Sequence, residues 1–124
     1  MRRLLVTSAV FELGAGLALV LVPSRAAVLL LGAPLDTPAA LVLGRVAGAA
    51  LASLGVACWH ARGAPASAAR AVVVAMLVYN VSVAVLLLAA RFGSGIGGGA
   101  LMAAVLLHAG MAAWCVACVG SNRG

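Results

Sequence analysis

The stretch AVFELGAGLALVLV, residues 9–22, holds one carboxylate, Glu12, inside an otherwise apolar run. The run extends over about residues 4–22, long enough to cross the hydrocarbon core of a bilayer as a helix. A charge at the centre of such a helix costs roughly 2.5–3.5 kcal/mol on insertion scales. Reading this stretch therefore decides two things: whether the chain is a membrane protein, and what shields Glu12 from lipid.

Working outward, three more runs of the same kind occupy about residues 39–59, 71–90 and 100–119. The 124 residues are 66% hydrophobic and 8% charged, whereas a soluble domain carries about 25% charged residues. Too few polar residues exist to cover a soluble core. Each run should be helical, because backbone polar groups in lipid must be satisfied within their own segment. The sequence thus predicts an all-α fold: one transmembrane domain over 1–124, a polytopic integral membrane four-helix bundle.

The residues between the runs agree. Pro23 and Ser24 end the first run, and SRAAVLLLG (24–32) is too short to cross, so it should lie at the interface as a helical turn or two. Thr37 followed by Pro38 reads as an N-cap with proline at the first helical position. HARGAPAS (60–67) reads as a tight loop, with Ser67 as cap for the third span. FGSGIGGG (92–99) is a glycine-rich connector. Its match to G-x-G-x-x-G at Gly93, Gly95 and Gly98 lacks the preceding strand and following acid of a dinucleotide site, and is read as chance. The first span is too long for the apolar region of a cleaved signal peptide, and it contains Glu12.

Net charge is +6, from eight arginines, no lysine, one Asp and one Glu. The arginines form no basic stripe, which argues against a nucleic-acid partner. They flank the apolar runs instead. Arg2, Arg3, Arg62, Arg70 and Arg123 fall on one side, and only Arg25 and Arg91 on the other. The positive-inside rule then puts both termini in the cytoplasm. Trp59 and Trp114 fall near that same interface, where tryptophan is enriched. Arginine without lysine, amid abundant Ala, Gly and Val, points to a bacterial cytoplasmic membrane.

Each span carries a polar residue near its middle: Glu12, then Arg45, then Tyr79 with Asn80, then His108. At about 1.5 Å per residue, Glu12 lies roughly 12 Å from the cytoplasmic start of its span, and Arg45 roughly 9 Å from the outer start of its own. A long guanidinium arm would close much of the gap. The simplest expectation is a Glu12–Arg45 pair facing inward beside Asn80 and His108; the alternative is a protonated, neutral Glu12. Gly44, Gly48 and Gly55 give span two a small-residue surface for close helix packing.

Two roles fit such a cluster. Intramembrane ionisable groups commonly mark a ligand site or a proton path, making Glu12, Arg45, Tyr79, Asn80 and His108 the candidate site. The competing role is a satisfied network that fixes helix register. A second pattern is the stripe His108, Met111, Cys115 and Cys118, which spans an arc of about 80° on one helix. With Cys58 and His60 at the same end, these soft ligands would suit Cu(I) or Zn(II). Cys and Met are also ordinary fillers of apolar interiors. No cofactor is required by the sequence. Paired carboxylates, a P-loop and a Ser-His-Asp set are absent, so hydrolase and nucleotide chemistry have no residues to run on.

Glu12, the segment LGAPLDTPAALVLGRVAGAALASLG (31–55) leading to Trp59, the Tyr79–Asn80 pair and His108 together resemble small four-span bacterial membrane proteins. In size and span count the chain is similar to the DoxX-like group. The resemblance implies a four-helix fold and no particular reaction. The expected function is a non-enzymatic membrane module that binds a small ligand, lipid or quinone, or passes protons or solutes. The alternatives are an accessory subunit of a larger membrane complex and a soft-metal or thiol module. Expected partners are the lipid bilayer and either further copies of the chain or the subunits of such a complex.

Overall fold

A computed structural model describes residues 1–121; Arg123, counted above for orientation, lies outside them. Among the described residues there are five helices and no strand: α1 (Arg2–Leu21), α2 (Pro23–Leu31), α3 (Pro38–Ala61), α4 (Ala66–Gly93) and α5 (Leu101–Gly120). All but α2 are long and apolar enough to cross a membrane. This is the pattern of a multi-pass membrane protein. Large side chains such as Leu21, Leu43, Val78, Leu86 and Leu106 stand outward, each more than 60% exposed. Apolar surface of that extent has no place in water.

The helix boundaries follow local chemistry. Thr37 accepts a hydrogen bond from the Ala40 N–H at 3.1 Å, with Pro38 starting the helix, so the expected cap is in place. Ser67 is not a cap. α4 begins a residue earlier, at Ala66 after Pro65, and has no side-chain cap. Proline fixes φ ahead of the first turn and starts the helix without one. The interfacial segment is a nine-residue helix, closed by Gly32 at φ +82°. Orphan carbonyls at its C-terminal turn take hydrogen bonds from the glycine-rich connector: Gly98 N–H donates to Leu30 and Ala100 N–H to Leu29.

The four long helices form two pairs, α1 with α3 and α4 with α5. The first pair is close because glycines face each other. A Cβ built on Gly48 would sit 2.7 Å from the Gly16 carbonyl oxygen, and one on Gly16 would sit 2.6 Å from the Ala52 nitrogen. Gly55 meets Leu13 in the same way, at 2.8–2.9 Å. The second pair buries Ala69, Val73, Met76 and Asn80 on α4, a seam with alternating three- and four-residue steps, and Val105, Met111 and Cys115 on α5. The pairs join at the end where α1 begins, in a core that includes Leu4, Leu5, Cys58, Ala61, Val73, Met76 and Cys115. Trp59 and Trp114, both partly exposed, lie towards this end.

Gly48→Ala should destabilise the protein by about 1–3 kcal/mol, since only backbone movement relieves the overlap. A Cβ on Gly14 has nothing within 4 Å, so Gly14→Ala should leave stability unchanged or slightly higher. Unfolding midpoints of the two variants in one detergent measure the difference.

Candidate functional site

α1 buries Leu4, Leu5, Ser8, Ala9, Glu12 and Gly16. These positions form two adjoining strips. Ala9 and Gly16 face α3, as the glycine contacts require. Ser8 and Glu12, one turn apart, lie on the side that meets the other pair. Glu12 is 5% exposed and Ser8 fully buried.

The Glu12 carboxylate has the Tyr79 hydroxyl of α4 within side-chain hydrogen-bonding reach. Tyr79 meets the His108 ring edge-on, with centroids 5.5 Å apart and planes at 80°. Next to Tyr79, Asn80 is 1% exposed. Its Nδ2 donates to the Met76 carbonyl at 2.7 Å, and its Oδ1 lies 2.8 Å from His108 Nδ1. An amide oxygen only accepts, so Nδ1 carries the proton. A neutral His108 then keeps its lone pair on Nε2, which makes no hydrogen bond to the described residues and belongs to a half-buried side chain.

Four of the five expected site residues therefore come together: Glu12, Tyr79, Asn80 and His108. Arg45 does not. It is exposed, and it lines a groove with Val22, Pro23, Ser24, Arg25 and Leu41 at the opposite end from the core. Among the described residues no ion pair joins it to Glu12. The reason is directional. Helical side chains lean back towards the N-terminus of their own helix. α1 and α3 are antiparallel, so Glu12 leans towards one end and Arg45 towards the other. The arm that was expected to close the gap widens it.

The sulfur stripe divides likewise. Met111 and Cys115 are core residues beside Cys58, and all three cysteines are free thiols. His108 is held by Asn80, while exposed His60 lines a groove with Arg2 and Arg62. Among the described residues no three His, Cys, Asp or Glu side chains converge as a metal site would need. The spacing that suggested ligands is the packing seam of α5 against α4.

Ser8, the polar residue one turn before Glu12 in the same span, also belongs to this region. The Ser8 hydroxyl is buried with no hydrogen-bond partner among the described residues. Serine in a membrane helix usually escapes notice because it can bond to the carbonyl one turn back; here it does not. Neither end groove touches Glu12, Tyr79, Asn80 or His108. In comparisons with known proteins, no family model, no curated protein and no solved structure matches the chain.

The cluster makes a sharp stability prediction. Asn80→Ala should cost about 0.5–1.5 kcal/mol, and a double-mutant cycle with His108→Ala should show coupling, on the scale of interhelical hydrogen bonds in membrane proteins. Arg45→Ala should show no coupling to Glu12→Ala. A buried ion pair would give several kcal/mol there, so the two cycles, read by unfolding in one detergent, separate the arrangements.

Proposed function

We propose that the chain is a non-enzymatic multi-pass protein of a bacterial cytoplasmic membrane, with both termini in the cytoplasm. Its interior cluster binds a proton or a small hydrogen-bonding ligand. The orientation is supported by Arg2, Arg3, Arg62 and Arg70, which mark one end, against Arg25 and Arg91 at the other.

The observation that carries the binding reading is Glu12. It is a carboxylate 5% exposed, beside Tyr79 and with no cation paired to it among the described residues. A buried ion pair would have accounted for it as structure alone. Without one, the carboxylate is accommodated by a proton or by a donor on a ligand, the usual employment of intramembrane acids. Two further polar groups lack partners among the described residues. The Ser8 hydroxyl lies one turn away on the same helix, and His108 Nε2 offers an acceptor beside Tyr79. A membrane-soluble molecule carrying a hydroxyl would satisfy these groups without needing a wide lumen.

A second reading makes the cluster purely structural, within a subunit of a larger membrane complex. It is favoured by the end grooves, neither of which reaches the cluster.

Glu12→Gln and His108→Ala decide between them. In proteoliposomes with an internal pH-sensitive dye, the binding reading predicts proton flux above empty vesicles, or a rise in unfolding temperature with a hydroquinone probe. Both variants should reduce the response at least about tenfold while still folding. If wild type shows neither response and the variants only lower stability, the structural reading stands.

A further inference from the structure

The displaced arginine raises a separate question. Arg45 sits within the first two turns of α3, in a segment otherwise built of Ala, Leu, Val and Gly. If it does not serve Glu12, something else must justify a guanidinium there. It reaches the bend between α1 and α2, where a groove of about 350 Å³ is lined by Val22, Pro23, Ser24, Arg25, Leu41 and Arg45.

We propose that this groove is a headgroup site, in which Arg25 and Arg45 hold the phosphate of an anionic phospholipid in the leaflet at that end. Three observations meet there. The two guanidiniums line one concavity, and neither has a hydrogen bond or ion pair with any other described residue. Of the other described arginines, Arg62 and Arg70 find partners, whereas Arg2, Arg3 and Arg91 have none among the described residues. Arg62 donates to the Trp59 carbonyl and lies 3.7 Å over its ring, and Arg70 approaches the Val119 carbonyl at 3.5 Å. The groove also takes in the first turn of α2, whose N-terminus has no side-chain cap. The N–H groups of Ser24 and Arg25 are left there without helical acceptors.

Apart from Ser24, whose hydroxyl donates to the Leu35 carbonyl, the rest of the lining is apolar, as an acyl chain below a phosphate requires. Leu41 lies on the same stretch of α3, and the exposed Val42 and Val46 flank it. Arginine suits this work because its fork of donors matches phosphate oxygens in pairs. The long arm lets a residue rooted in the span carry its charge to the interface. The proposal rests on the chain crossing a bilayer, as read above, but not on the interior cluster.

Full-length protein provides the test. Resistance of the membrane-bound protein to alkaline carbonate extraction is scored first; release into the soluble fraction overturns the membrane reading and this proposal together. Retained protein is purified in a zwitterionic detergent and titrated with short-chain phosphatidylglycerol, short-chain phosphatidylcholine and inorganic phosphate, with binding read as the shift in unfolding temperature. Phosphatidylglycerol should bind. Arg25→Ala and Arg45→Ala should each weaken it about 5-fold, and the double variant about 30-fold, the size expected when each basic residue near the surface contributes separately. Arg25→Lys with Arg45→Lys should keep part of the affinity. Arg2→Ala with Arg62→Ala, at the opposite end, should leave it unchanged. Unaltered affinity in the double alanine variant overturns the proposal. So does phosphatidylcholine binding as tightly as phosphatidylglycerol, or inorganic phosphate protecting as well at equal concentration.

Discussion

The backbone contact between α1 and α3 governs the arrangement. With glycine at 16, 48 and 55, the helices approach until a single added methyl would overlap main-chain atoms. Without water to drive helices together, membrane proteins depend on such close packing. The contact also fixes rotation. With Ala9 and Gly16 committed to α3, the strip carrying Ser8 and Glu12 has one direction left, towards α4 and α5. The polar interior follows from where the glycines are, not from attraction between charges.

The same contact explains why opposite charges on neighbouring helices do not meet. Arg45 lies three residues before Gly48, so it sits at the rim of the seam, and its lean carries it to the far end. The glycine contacts set the heights: Gly55 meets Leu13, Gly48 meets Leu19 and Val20, and Gly44 meets Pro23. Arg45 is therefore level with the bend after α1, well beyond Glu12 along the axis, and no turn of α3 about its axis would bring the two together.

The spans were legible in the sequence because hydropathy and length suffice: expected ends at 4–22, 39–59, 71–90 and 100–119 fall within a few residues of α1, α3, α4 and α5. Thr37 was legible because its cap is local. Ser67 was not, because Pro65 could start α4 unaided and nothing in the loop composition ranks the two. Within the site, Tyr79, Asn80 and His108 were legible as polar residues near the middle of apolar spans. The Arg45 error came from comparing heights of Cα atoms along the spans while leaving out the direction of the Cα–Cβ bonds. The stripe from His108 to Cys118 was open to two readings for a related reason: a buried helix face and a set of ligands share the same three- and four-residue steps.

The cluster joins the two helix pairs through two different kinds of contact. Asn80 and His108 hold α4 to α5, within one pair, and their geometry is settled by the Met76 carbonyl, which dictates which way the amide faces. Glu12 belongs to the other pair and reaches across through Tyr79. Tyr79 therefore faces both halves: Glu12 on one side and the imidazole on the other. The carboxylate is thus buried where the two pairs meet, immediately beyond the core of Val73 and Met76. An apolar contact would hold the pairs together as well, so a carboxylate at this junction is the feature that the proposed binding role accounts for.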